Sequence, residues 1–203
     1  NRPDGREYEH LSSPLEFGFR TRKHPAMDQN GDAFTHKVWG NRALTGVIDG
    51  VGHGKLAHKA SIKAREYIET HYDMPLESIL IGTNRACRGT RGVVAGLARF
   101  HWNEESVKLT FSGVGNIECS IVSPSGKESL VSKRGLLGKT FPTPKTITRN
   151  WTEGGKTIFI HSDGIKSHWS LEDFDGLEDG SAPEMANQLL TALARTNDDA
   201  TIA

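Results

Sequence analysis

Ala43-Leu44-Thr45-Gly46-Val47-Ile48-Asp49-Gly50-Val51-Gly52-His53-Gly54-Lys55 is the stretch from which the rest of the chain can be placed. Small and β-branched apolar residues from Ala43 to Ile48 predict a buried strand, Asp49 stands at its end, and three glycines then turn the chain into a helix beginning near Lys55. Asp49 is therefore expected to face a crowded turn. A carboxylate there is costly to desolvate unless a cation or a firm hydrogen-bond donor meets it, and Gly50 can offer a carbonyl beside it. Two phosphate-loop patterns compete for the same glycines. A Walker A loop needs four residues before its Gly-Lys pair and Ser or Thr after it, whereas Gly50 and Gly54 enclose Val51, Gly52 and His53, and Leu56 follows Lys55. The dinucleotide fingerprint needs glycine where Lys55 stands. Both patterns fail.

The 203 residues carry 25 basic and 25 acidic side chains, enough chain for one sizeable core and no net field to attract nucleic acid or an anionic membrane. No apolar run approaches the roughly 20 residues of a membrane span, and the start is polar rather than signal-like, so a cytoplasmic protein is expected. Cys87 and Cys119 are far apart in sequence and predict buried thiols rather than a zinc site or a disulfide. The chain begins without Met and stops inside an apparent strand start, which predicts that it is part of something longer.

Residues 1–14 are polar, carry Pro3, Gly5 and Pro14, and are expected to form a poorly ordered arm before a single domain over 15–203. Leu15–Arg20 alternates apolar residues and predicts a first strand, followed by the basic segment Arg22-Lys23-His24-Pro25. Asn30-Gly31 is a strong turn signal with Asp32 after it. Strands 33–39 and 42–48 around Gly40-Asn41 predict a hairpin that brings Asp32 and Asp49 towards one end. Helices are expected over 55–72, 75–88 and 183–195. Between them, strands over 92–102, 107–112, 117–122 and 129–132 read as an antiparallel meander, another strand spans 156–161, and a last one starts at 200. Acid recurs at the ends: Asp163 after 156–161, and Asp198 and Asp199 before the last strand. Hard oxygen donors with no His or Cys among them suit magnesium or manganese, and zinc fits poorly.

With these segments in order, the sequence resembles the metal-dependent Ser/Thr protein phosphatases of type 2C, and within them the bacterial SpoIIE/RsbU/RsbX branch. Asn30-Gly31-Asp32-Ala33-Phe34 is similar to the first acidic motif of that family, and Asp49-Gly50-Val51-Gly52-His53-Gly54 to its Asp-Gly-x-Gly-His-Gly signature. Ser162-Asp163-Gly164 and Asp198-Asp199-Ala200-Thr201 are similar to its later acidic motifs. Gly89-Thr90-Arg91-Gly92 and Gly113–Glu118 resemble the compact, single-domain RsbX-type stressosome members.

The resemblance implies an α+β fold, a four-layer α-β-β-α sandwich of two antiparallel sheets flanked by helix pairs. It also implies two Mn2+ or Mg2+ ions, one held by Asp49, Asp163 and Asp198, the other by Asp32, Asp49 and the Gly50 carbonyl. Asp49 would bridge both and position the attacking water. Asp199 and His53 would sit just outside the ligands, His53 holding the turn rather than acting as a general acid. The implied substrate is a phosphorylated STAS-type or scaffold regulatory protein in a bacterial stress or anti-sigma-factor pathway. One departure is that many type 2C enzymes carry a phosphate-binding Arg about five residues before the first acid, where this chain has Met27, which leaves Arg22, Lys23, the metals or a partner to grip phosphate. A catalytically weak phosphatase-like binding module and a hydrolase of small phosphate esters are the alternative readings.

Overall fold

The computed structural model describes residues 13–152, 154–174 and 176–203, so most of the expected N-terminal arm lies outside the described residues. Its elements in order are β1 (Arg20–Arg22), β2 (Asp32–Trp39), β3 (Arg42–Gly50), α1 (Lys55–Thr70), α2 (Leu76–Ala86), β4 (Val93–Trp102), β5 (Val107–Val114), β6 (Glu118–Ser123), β7 (Gly126–Leu130), β8 (Ile147–Trp151), β9 (Thr157–His161), α3 (Ala182–Leu193) and β10 (Ala200–Ile202). The strands form two five-stranded sheets, β2-β3-β4-β5-β8 and β1-β10-β9-β6-β7.

The period-2 alternation of the central strands divides their side chains between two cores. Along β3 and β4, Leu44, Ile48, Val93, Ala95 and Leu97 pack against α1 and α2. Ala43, Val47, Val94, Ala98, Phe100 and Trp102 turn the other way and meet Cys119, Ile121, Leu130 and Ile160 of the second sheet. Burial on both faces explains why Ala43–Ile48 reads as an unbroken apolar run. The far face of the second sheet, with Phe159, Ala200 and Ile202, is covered by Ala186, Leu189 and Leu193 of α3. The layers are therefore helix, sheet, sheet, helix, as expected. The first outer layer is the pair α1 and α2; the second is the single α3 with two short 3-10 turns at Leu171–Asp173 and Leu177–Asp179. Among the described residues no helix is long and apolar enough to cross a membrane.

The stripe Ala57, Ala60, Ser61, Ala64 and Ile68 on α1 is small-sided, so the helix lies close to its sheet. A Cβ on Gly50 would fall 2.2 Å from the Ala57 carbonyl oxygen, which is why the strand must leave Asp49 through glycine.

Several expectations are corrected. The first strand is Arg20–Arg22, not 15–20: Gly18 runs against α3, where a Cβ would stand 2.1 Å from the Ala182 carbonyl oxygen, and Phe17 packs edge-on to Phe100. The Leu/Phe alternation there records packing rather than ladder pairing. The strand expected at 129–132 is β7, beginning at Gly126, because Pro124-Ser125 closes a two-residue hairpin with Ser123 opposite Gly126. The expected meander splits between sheets: β4 and β5 belong to one, β6 and β7 to the other. Strand β8 was not legible at all, since it is a sheet edge whose two core-facing apolar residues, Ile147 and Trp151, are separated by exposed Arg149, which breaks the alternation that would reveal it.

Candidate metal centre

Four loop junctions deliver carboxylates to one end of the sandwich. Asp32 and Asp49 are directly opposite each other in the β2–β3 register, as the hairpin reading predicts. Asp163 follows β9, and Asp198 and Asp199 precede β10, in the facing sheet. The two halves are joined by Ser162, whose hydroxyl donates to Asp32 Oδ2 at 2.6 Å and accepts from the Thr201 N–H at 3.0 Å.

The electrostatics show how crowded this end is. Asp49 has its pKa pushed up to about 9, first by burial and then by the negative charges of Asp32, Asp163, Asp198 and Asp199. Asp32 is 5% exposed, and burial raises it to about 7 against the lowering effect of its bonds to Ser162 and Thr201, with Asp199 and Asp163 adding to the rise. Asp198 is also raised, by burial and then by Asp163. Asp199 is 3% exposed; its Oδ1 accepts from the His24 N–H at 2.8 Å, while its Oδ2 is buried with no hydrogen-bond partner. A buried acceptor without a donor is costly, and carboxyls this strongly displaced signal a site shaped for a positive charge.

Asp163, exposed at the rim, accepts from Asn116 Nδ2 at 2.8 Å. As the side chains stand, no three His, Cys, Asp or Glu among the described residues form one closed ligand set, and Asp32 and Asp163 are turned to Ser162 and Asn116. Mutual repulsion favours that spread. Gly50, the expected carbonyl donor, lies at the centre with its N–H bonded to the Gly31 carbonyl at 3.2 Å.

The remaining expected residues lie around this rim. His53 is exposed on the signature turn, with its ring 5.0 Å from that of His24. Arg22 and Lys23 are nearby but their cationic ends are engaged: Arg22 Nη2 donates to the Arg195 carbonyl and Lys23 Nζ to the Met27 carbonyl. The contacts of Asn116 and His24 were not read from the sequence. Ser162 lay within a noted motif, but only the meeting of the two sheets shows that it serves Asp32.

A cavity of about 240 Å³ lies elsewhere, lined by Phe17, Phe100, Ile158 and Met185 among others and by none of the five acids. At the acid centre Asp163 is exposed, while Asp32 and Asp199 are buried beneath it.

No family model matches the chain. It is similar to the phosphoserine phosphatase RsbX of Bacillus subtilis (strain 168), 31% identical over 178 residues that cover 84% of each chain. Among solved structures it resembles RsbX in complex with magnesium, with a TM-score of 0.74 and 27% identity over 91% of this chain and 90% of that one. A chain solved in work on the bacterial stressosome, as a modular system adapted to control secondary messenger signalling, gives 0.79 and 28% over 92% and 96%.

Proposed function

Because the chain belongs to the RsbX family of phosphoserine phosphatases, with their type 2C fold, we propose that the acid centre is its active site and removes phosphate from Ser or Thr of a bacterial regulatory protein. The enzyme is a metal-dependent phosphatase. The finer assignment is of two ions, Mn2+ or Mg2+, with Asp49 shared, Asp163 and Asp198 completing one site, and Asp32 and the Gly50 carbonyl the other. The donor chemistry fits: every ligand is a hard oxygen, and Asp49 answers only to burial and to four neighbouring negative charges.

When bound, the ions supply Lewis-acid activation of water and of the phosphoryl group. The chain's own residues supply order. Ser162 fixes Asp32 and ties it to β10, Asn116 orients Asp163, and the His24 N–H holds Asp199 beside the ligands. Gly50, lacking a Cβ, lets the Ala57 carbonyl of α1 approach the end of β3.

The single observation that carries the reading is the direct opposition of Asp32 and Asp49, met by acids from the other sheet. The likeness to RsbX and to a chain from work on the stressosome favours a protein substrate over a small ester, with a phosphorylated STAS-type or scaffold protein of a stress-signalling assembly as the candidate. Phosphate release from such a phosphoprotein, compared with a small aryl phosphate, with and without Mn2+ or Mg2+, tests it. Metal-independent release, or a preference for the aryl ester, would overturn it.

A further inference from the structure

The cations nearest the acids are already engaged with backbone: Arg195 Nε donates to the Asp163 carbonyl at 2.9 Å. Met27 occupies the position where many type 2C enzymes carry an arginine, and Arg22 and Lys23 are turned to backbone carbonyls. Other groups stand around the signature turn instead. A Cβ on Gly54 would lie 3.0 Å from Met27 Sδ, and a Cβ on Gly52 would lie 2.7 Å from Arg91 Nη1. Met27 and Arg91 therefore bracket one turn, reached from different parts of the chain. Gly52 has φ +83, a left-handed conformation in which an added side chain would be strained and would also meet the guanidinium.

Arg91 is not placed there by a loose loop. The Thr90 hydroxyl donates to the Cys87 carbonyl at 2.6 Å and accepts from the Gly92 N–H at 3.0 Å. The Gly92 carbonyl accepts from the Val51 N–H at 3.1 Å, and Val93 pairs with Gly50. The segment 90–92 is thus joined to the turn that follows Asp49. Gly52 is two residues beyond Gly50, a reach of at most about 7 Å. The Arg91 side chain is exposed, and among the described residues it makes no ion pair or side-chain hydrogen bond. A guanidinium with free donors over the turn that follows Asp49 is placed to offer paired N–H groups to phosphoryl oxygens.

We propose that Arg91 is the substrate-phosphate-binding cation of this enzyme, acting across the signature turn from the position that Met27 vacates. The inference rests on the phosphatase reading above and assigns a residue that neither motif order nor spacing indicates.

The test compares wild type, Arg91→Ala, Arg91→Lys, Arg91→Ala with Met27→Arg, and Arg88→Ala as a neighbouring exposed-charge control. Kinetics on a phosphopeptide are combined with calorimetric binding of inorganic phosphate and of Mn2+. Loss of a charge-assisted hydrogen-bonding partner should raise KM and weaken phosphate binding about 10 to 100-fold. The Mn2+ affinity should hold, Arg91→Lys should recover part of the loss, and adding Met27→Arg to Arg91→Ala should restore phosphate binding. Unchanged phosphate binding in Arg91→Ala, an equal loss in Arg88→Ala, or a loss confined to metal affinity would each overturn it. Phosphate calorimetry decides the inference even if the wild type fails to turn over the phosphopeptide, an outcome that would count against the functional reading alone.

Discussion

Asp49 is the residue on which most of the proposed chemistry converges, and its neighbours rank by what each would lose. Asp49→Asn removes charge from both proposed ion sites and should cost the most turnover, whereas Asp32→Asn, Asp163→Asn and Asp198→Asn each touch one. Asp199→Asn should be milder than Asp198→Asn, about 10 to 100-fold in activity, because its Oδ1 serves the His24 N–H. Manganese titrations of turnover for each purified variant check the order, and near-normal activity in Asp49→Asn would show the site to be misassigned. Ser162→Ala tests the link between sheets: it strips a donor from buried Asp32 and an acceptor from Thr201 N–H, so thermal melts should show a loss of about 1–3 kcal/mol. The acids themselves were legible because each stands at a strand end in a short local motif. Their partners were not, since His24 and Asp199 are 175 residues apart in sequence and meet only through the pairing of β1 with β10.

Among the elements, the junction of β3 with α1 couples stability to the site. Gly50→Ala would drive a methyl into the Ala57 carbonyl, forcing the helix start or the signature turn to move. Gly40→Ala, on the β2–β3 turn with φ +52 and nothing within 4 Å, meets only the conformational cost of about 1–2 kcal/mol. The pair separates backbone strain from crowding. Gly50→Ala should lower both the melting temperature and the manganese affinity, while Gly40→Ala should leave the affinity unchanged; equal affinities in the two variants would mean that α1 does not position the turn. Elements with a buried face, such as β3 and α1, announce themselves by period. Edge strand β8 and the displaced β1 do not, because an edge needs no apolar alternation and the Leu15–Phe19 segment packs without a ladder.

Across the folded chain, the clustered carboxyls make metal-free stability depend on pH in an unusual direction. Asp49 is raised to about 9 and Asp32 to about 7, above the range of an unfolded aspartate near 4, so the folded state holds protons that the unfolded state releases. Their contribution is fully present below about pH 4 and is lost as pH rises through about 7 and 9. Melts with a chelator should therefore fall in temperature between about pH 5 and pH 8.5, and added Mn2+ should flatten the trend by replacing protons with a cation. A chelated protein that grows more stable across that range would contradict the arrangement of charges. Chelation should also abolish turnover, while thiol-blocking reagents should not touch it, since Cys87 and Cys119 are fully buried, or nearly so, with thiol pKa values raised by burial.

Local sequence was enough to specify the strand that carries Asp49, the glycines that turn it into α1, and the hairpin that sets Asp32 opposite. These depend on residues within about twenty positions of one another, where periodicity and turn chemistry act directly. Three outcomes emerged only once the chain was folded: which sheet each later strand joins, which donor serves which carboxylate, and that Arg91 stands over Gly52. They follow from burying both faces of β3 and β4 at once, a requirement that sums over the whole core and leaves no mark on any one segment.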